Sequence, residues 1–162
     1  MLYWTEGLKD GVVRQAEAGY PEEICGVLVG RWSGEEKIVS RLVPIENRWQ
    51  ESGEAEFSGV GDDFGGASRH HRFKISPEDY YRVDIDARTA GEAILGFYHS
   101  HPDHPARPSD YDLRLAREIF PGFSYMIVSV QRGKATDVTS WVLRDDYADF
   151  DPEPLRFAPL EL

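Results

Sequence analysis

Apolar residues recur along this chain with two different periods, and the switching between them marks out its elements. Trp4, Leu8, Val12 and Ala16 return every fourth residue, with Val13 beside them, which predicts an amphipathic first helix ending near Gly19 and Pro21. Ile24 to Val29 is a continuous apolar run bounded by Gly30, and Lys37 to Ile45 is rich in β-branched residues. Both predict strands. Ser76-Pro77-Glu78-Asp79 is a helix start, with serine as cap, proline at the first helical position and an acid behind it. Tyr80, Val83, Ala87 and Ala90 then form a stripe at helical spacing, closed by Gly91. Ala93 to Tyr98 and Phe123 to Val130 are apolar on both parities, as strands buried on both faces are, which puts them in the middle of a sheet. Between them Ser109 opens another helix, with Leu113, Ala116 and Phe120 as its stripe and Pro121-Gly122 as its stop. Gln131 to Lys134 reads as a turn and Val138 to Leu143 as the next strand. The order predicts an α/β (α+β) fold built on one mixed sheet flanked by helices.

Two segments break this pattern. Residues 47–72 hold Gly53, Gly59, Gly61, Gly65 and Gly66, several acids, and the cluster Arg69-His70-His71-Arg72. They are expected to form a mobile loop insertion, longer than the ~12–15 residues that unstructured connections in compact domains usually reach. A short strand is expected at Phe73-Lys74-Ile75. From Asp149 the chain is Pro-rich, and 149–162 is expected to be an irregular tail. The rest, 1–148, is expected to be one domain, as the 162-residue length suggests.

Composition narrows the partners. A net charge of −11 argues against a nucleic-acid backbone or an anionic membrane, since both need a basic surface. The single cysteine, Cys25, rules out an internal disulfide and fits a reducing compartment. It lies in an apolar run, where a cysteine is normally buried and inert. No stretch approaches the ~18 apolar residues of a membrane span. The N-terminus lacks the basic start and apolar run of a signal peptide, so a cytoplasmic location is expected.

One stretch carries chemistry: Gly96-Phe97-Tyr98-His99-Ser100-His101-Pro102, a Pro-rich bend, then Pro108-Ser109-Asp110-Tyr111-Asp112. Alternate residues of a strand share a face, so Ala93, Leu95, Phe97, His99 and His101 are expected to point the same way. Asp112 falls in the first turn of the next helix, and the bend can fold that turn back over the strand end. Two imidazoles, one carboxylate and an open position are the ligand set of a catalytic zinc site. Taken singly, the same residues have structural readings. A strand-end histidine is usually a surface or hydrogen-bonded residue, and Ser109 with Asp112 makes a helix cap pair. His104 completes a His-x-His-x-x-His spacing but sits in the bend, where it is expected to be a surface residue.

The pattern His-x-His-Pro, seven residues, then Ser-x-x-Asp resembles the signature of the JAMM (MPN-plus) metallopeptidases. Pro21-Glu22-Glu23-Ile24-Cys25-Gly26 is similar to that family's other motif, a glutamate three residues before a glycine. The resemblance runs from the first helix to about Leu143. It implies a single-domain, bacterial-type JAMM/MPN domain of the cytidine-deaminase-like, three-layer kind. It also implies one Zn²⁺ per chain held by His99, His101 and Asp112. Glu23 would be the catalytic base, with Glu22 as the near alternative, and Ser109 would donate to the oxyanion. The implied reaction is hydrolysis of an amide or isopeptide bond after the Gly-Gly tail of a ubiquitin-like protein, in this branch a sulfur-carrier protein. The competing reading is a non-catalytic scaffold of the same fold. Against it, the metal residues, the serine and a candidate glutamate are all present.

Overall fold

The computed structural model of the protein describes residues 1–47, 75–119 and 121–158. In chain order its elements are β1 (Leu2–Trp4), α1 (Glu6–Gly19), β2 (Cys25–Ser33), β3 (Glu36–Ile45), α2 (Pro77–Thr89), β4 (Ala93–Pro102), α3 (Asp110–Arg117), β5 (Ser124–Gln131), β6 (Lys134–Leu143), β7 (Phe150–Glu153) and β8 (Leu155–Phe157). The strands form one sheet in the order β7-β6-β5-β4-β2-β3-β1-β8. β4 runs parallel to β5, and β1 runs parallel to both β3 and β8. The remaining pairs are antiparallel. Val12 and Ala16 of α1 pack with Leu28, Leu95, Tyr98 and Met126 on one face. Val83 and Ala87 of α2 and Ala116 of α3 pack with Val27, Val29, Phe97 and Tyr125 on the other. This is the expected α/β sandwich, with β4 and β5 interior as their doubly apolar sequences require.

Local chemistry sets the element ends. Thr5 caps α1, its hydroxyl accepting from the Leu8 N–H at 3.1 Å. The helix therefore starts at Glu6, and Trp4, expected in its stripe, belongs to β1. Ser76 caps α2 and Pro77 leads it, as read. Gly91 at φ 73° ends it: its N–H reaches the Arg88 carbonyl and the Glu92 N–H reaches that of Ala87, a Schellman closure. Arg132 and Gly133, both at positive φ, make the two-residue turn between β5 and β6.

The expected strand parity needs one correction. Leu28 faces Gly96 across the β2–β4 ladder but Val29 faces Ile94, so a bulge leaves Leu95 over. Ile94 therefore packs with Phe97, while Leu95 turns to the α1 face with Tyr98. From Phe97 onward the alternation is unbroken, and His99 and His101 keep the side that the pattern assigned to them.

The expectation of an irregular segment from Asp149 is also corrected, because residues 150–157 supply β7 and β8 at opposite ends of the strand order. Only Pro154 separates Glu153 from Leu155. Two residue steps span at most about 7 Å, so the curled sheet must bring its two edges together there. A buried polar seam fastens the join. Lys37 Nζ donates to Ser124 Oγ at 2.7 Å and to Glu153 Oε2 at 3.2 Å. Ser124 and Ser140 both donate to Glu153 Oε1.

Apart from Asn47, the expected loop at 47–72, with His70 and His71, lies outside the described residues. So do Phe73 and Lys74 of the expected strand, and Phe120 of the third helical stripe. No helix among the described residues is long and apolar enough to cross a membrane.

Candidate metal centre

β4 is paired on both sides at His99, which faces Cys25 of β2 and Ile127 of β5, and on one side at His101, which faces Ser129 of β5. Both histidines are buried, with His99 1% and His101 6% exposed. The bend after Pro102 brings α3 back over them. Asp112 Oδ1 lies 3.1 Å from His99 Nε2, Asp112 Oδ2 lies 3.1 Å from His101 Nε2, and the two Nε2 atoms are 3.0 Å apart.

The capping box read from the sequence is formed. Ser109 Oγ accepts from the Asp112 N–H at 3.1 Å, and the Ser109 N–H donates to Asp112 Oδ2 at 2.8 Å. Cap and site are thus one object, since the carboxylate that answers the cap also faces both imidazoles. A hydroxyl accepting in this way still carries one proton that it can donate.

Of the two adjacent glutamates, the structure buries Glu23 and leaves Glu22 exposed. Carboxylate and imidazole atoms of Glu23, His99 and His101 all lie within 4.8 Å of one another. Three hydrogen bonds hold the backbone of Glu23 and Ile24 in place. Asn47 Nδ2 donates to the Glu23 carbonyl at 3.2 Å. Ser100, between the histidines, accepts from the Ile24 N–H at 2.9 Å and donates its own N–H to the Ile24 carbonyl at 3.0 Å. His104 is exposed, as expected. Cys25 is buried in the core, and burial, with Glu23 and Asp79 nearby, pushes its thiol up to about 12. It remains a thiol near neutrality, which fits the inert reading.

Electrostatics follow from the burial. Desolvation alone would raise the Asp112 carboxyl, but the adjoining imidazoles overturn it and hold the group well below the carboxylate range. Burial lowers His99 despite Asp112. Burial also works against a proton on His101, but Asp112 and the Pro105 carbonyl outweigh it and raise that group.

The donors fit a small divalent cation. His101 Nδ1 lies 2.8 Å from the Pro105 carbonyl oxygen, a partner that can only accept. That contact places the ring proton on Nδ1 in the neutral ring and turns the Nε2 lone pair toward a carboxylate and a second imidazole. Three converging donors repel one another unless a proton or a metal sits among them. Zinc bonds of about 2.0–2.1 Å set tetrahedral donor edges near 3.3 Å, close to the 3.0–3.1 Å separations here.

Sequence reasoning did not find the Pro105 carbonyl, Ser100 or Asn47. Of these only Ser100 left a signal, a small polar residue inside a buried strand.

A mixed sheet between helices, with two strand-end imidazoles facing a helix-cap carboxylate, defines the class: an α/β domain with a candidate metal centre. The sequence matches the family model of prokaryotic homologs of the JAB domain over residues 5–144. A protein of Haloferax volcanii named desampylase is 28% identical over 125 residues, 75% of this chain and 75% of that protein. The solution structure of a Desulfitobacterium hafniense protein matches with a TM-score of 0.75 at 28% identity, covering 98% of this chain and 93% of that one. A further likeness in fold is to a structure described as JAMM, a metalloprotease-like zinc site in the proteasome and signalosome. Its TM-score is 0.53 at 16% identity, over 98% of this chain and 99% of the other. The chain belongs to the JAB/MPN (JAMM) family, in its prokaryotic branch.

Proposed function

We propose that the protein is a zinc-dependent hydrolase that cuts an amide or isopeptide bond at the C-terminal Gly-Gly of a ubiquitin-like protein of the sulfur-carrier type. The observation that carries this reading is the meeting of His99, His101 and Asp112 at 3.0–3.1 Å, with the buried Glu23 carboxylate beside the same imidazoles. Likeness to a desampylase supports the substrate class. His99, His101 and Asp112 would hold one zinc ion per chain. Zinc supplies a Lewis acid and makes water acidic enough to attack near pH 7. Glu23 takes the proton of the attacking water and passes it to the leaving amine. Ser109, already oriented by the cap, donates its hydroxyl proton to the oxygen that gains charge as the carbonyl becomes tetrahedral.

The test uses sulfur-carrier proteins carrying a short extension beyond Gly-Gly, incubated with the zinc-loaded protein and read by mass spectrometry. Cleavage after the second glycine, abolished in His99→Ala and Asp112→Ala together with bound zinc, is the expected result. Intact substrate, or zinc content unchanged in both variants, would sink the proposal.

A further inference from the structure

The bend between the histidines and α3 has no regular structure, yet its carbonyls are held one after another. Ser129 Oγ donates to the His104 carbonyl at 2.5 Å, and Gln131 Nε2 donates to it at 3.2 Å. The Pro105 carbonyl faces His101 Nδ1 and also accepts from the Arg107 N–H, both at 2.8 Å. Thr139 Oγ1 donates to the Ala106 carbonyl at 2.7 Å. Three consecutive carbonyls thus meet side chains of β5, β4 and β6.

The two hydroxyls share a design. Ser129 accepts from Gln131 Nε2 at 2.9 Å, and Thr139 accepts from Trp141 Nε1 at 2.9 Å. In each case the donor stands two residues along the same strand, on the same face. A hydroxyl has a single proton. With a lone pair engaged by the N–H, that proton is aimed at the carbonyl of the bend. The sheet register explains the placement. Ser129 is the cross-strand partner of His101. Thr139 is the partner of Ile127, which is itself the partner of His99. The hydroxyls therefore extend the two rows that the histidines begin.

We infer that the Ser129–Gln131 and Thr139–Trp141 pairs are positioning residues for the metal centre: they clamp the carbonyls on either side of Pro105 so that its own carbonyl fixes the ring of His101. The inference rests on the proposed zinc site. Partners that orient a metal-bound histidine typically change metal affinity about 10–100-fold when removed. These four residues act one step further out, through Pro105, whose peptide oxygen cannot itself be mutated.

The experiment measures zinc affinity by competition with a chromogenic chelator, and thermal unfolding with and without zinc. Thr139→Val should bind zinc roughly 10-fold more weakly, at the lower end of that range, and Thr139→Ser should restore it. Ser129→Ala combined with Thr139→Val should approach the full 100-fold. Trp141→Phe, a milder change that leaves the hydroxyl undirected, should weaken binding a few-fold and serves if the double variant fails to fold. The zinc-induced rise in Tm should shrink in the same order. A purely structural role would instead lower Tm equally with and without zinc. Wild-type protein that binds zinc, with Thr139→Val and Trp141→Phe binding it equally well, overturns this inference and leaves the metal centre standing. Wild-type protein that takes up no zinc overturns both.

Discussion

At the scale of single residues, Glu23 and Cys25 show how two neighbours on one strand entry take different chemistry from their surroundings. Glu23 is buried against the imidazoles, so Glu23→Gln is expected to keep zinc while hydrolysis falls by about 10²–10⁴, the usual contribution of a general base. Glu22→Gln, on the exposed neighbour, is expected to change neither, and a reversed pattern in zinc content and rate would reassign the base. Cys25 predicts the opposite kind of silence: no reaction with a thiol reagent at pH 8 until denaturant is added. Its folded pKa, about 12, lies above the unfolded value near 8.5, so the folded state holds the proton more tightly. The stability this gives is complete below about pH 8.5 and is lost as pH rises toward 12. Denaturation midpoints should therefore fall through that window, and less steeply in Cys25→Ala. The identity of the candidate site was legible in residues such as these because ligand chemistry is written in residue type and spacing. The supports were not, because a carbonyl such as that of Pro105 has no letter of its own, and Ser129 and Thr139 look like any strand hydroxyls.

At the scale of elements, close approach of backbones governs what β4 tolerates. A Cβ on Gly96 would sit 2.0 Å from the Ser124 carbonyl oxygen and 2.7 Å from its carbon, both backbone atoms that cannot swing away. Gly96→Ala is expected to cost at least the roughly 1–3 kcal/mol of ordinary overpacking, because β4 and β5 must part beside the histidines. Gly11, inside α1, is the converse. Its Cβ would meet only Leu42 Cδ1 at 3.9 Å, so Gly11→Ala is expected to stabilise by about 0.5–1 kcal/mol. Urea titrations of the two variants should show midpoints moving in opposite directions. The helices were readable because caps act within a few residues, as at Ser76 and Ser109. Leu95 was misplaced because a bulge is a relation between two strands, and the period of one strand does not reveal it. β1 was missed for a similar reason. Three residues are too few to show a period, and Trp4 continued the helical stripe.

At the scale of the molecule, the tail was the largest misreading. Its prolines suggested irregular chain, yet the two among the described residues stand where a strand tolerates them: Pro152 in edge strand β7, and Pro154 between β7 and β8. What commits the segment is distant: Glu153 meets Lys37, Ser124 and Ser140 in a buried seam that no local window contains. Lys37 and Glu153 side chains are 4% and 5% exposed. Lys37→Met removes the buried partner at 3.2 Å and leaves Glu153 only the N-terminal ammonium at 3.9 Å, so it is expected to cost about 3 kcal/mol, the low end for breaking a buried pair. The paired change Lys37→Met with Glu153→Leu should recover much of that loss, as replacing a whole buried pair by apolar groups often does. Equilibrium unfolding of the single and double variants checks this, and a double variant no better than the single would refute it.

The join at Pro154 also has a consequence for synthesis. Synthesis runs from N- to C-terminus, so β1 emerges long before its neighbour β8, and β6 before its neighbour β7. Until residues 150–157 have emerged, the nascent sheet has both flanks unpaired, and open strand edges recruit other chains. One short segment then closes both flanks within eight residues. Emergence of that segment therefore separates a sheet exposed to mispairing from a closed one, and a premature stop before Phe150 should yield insoluble protein rather than a shortened but working one.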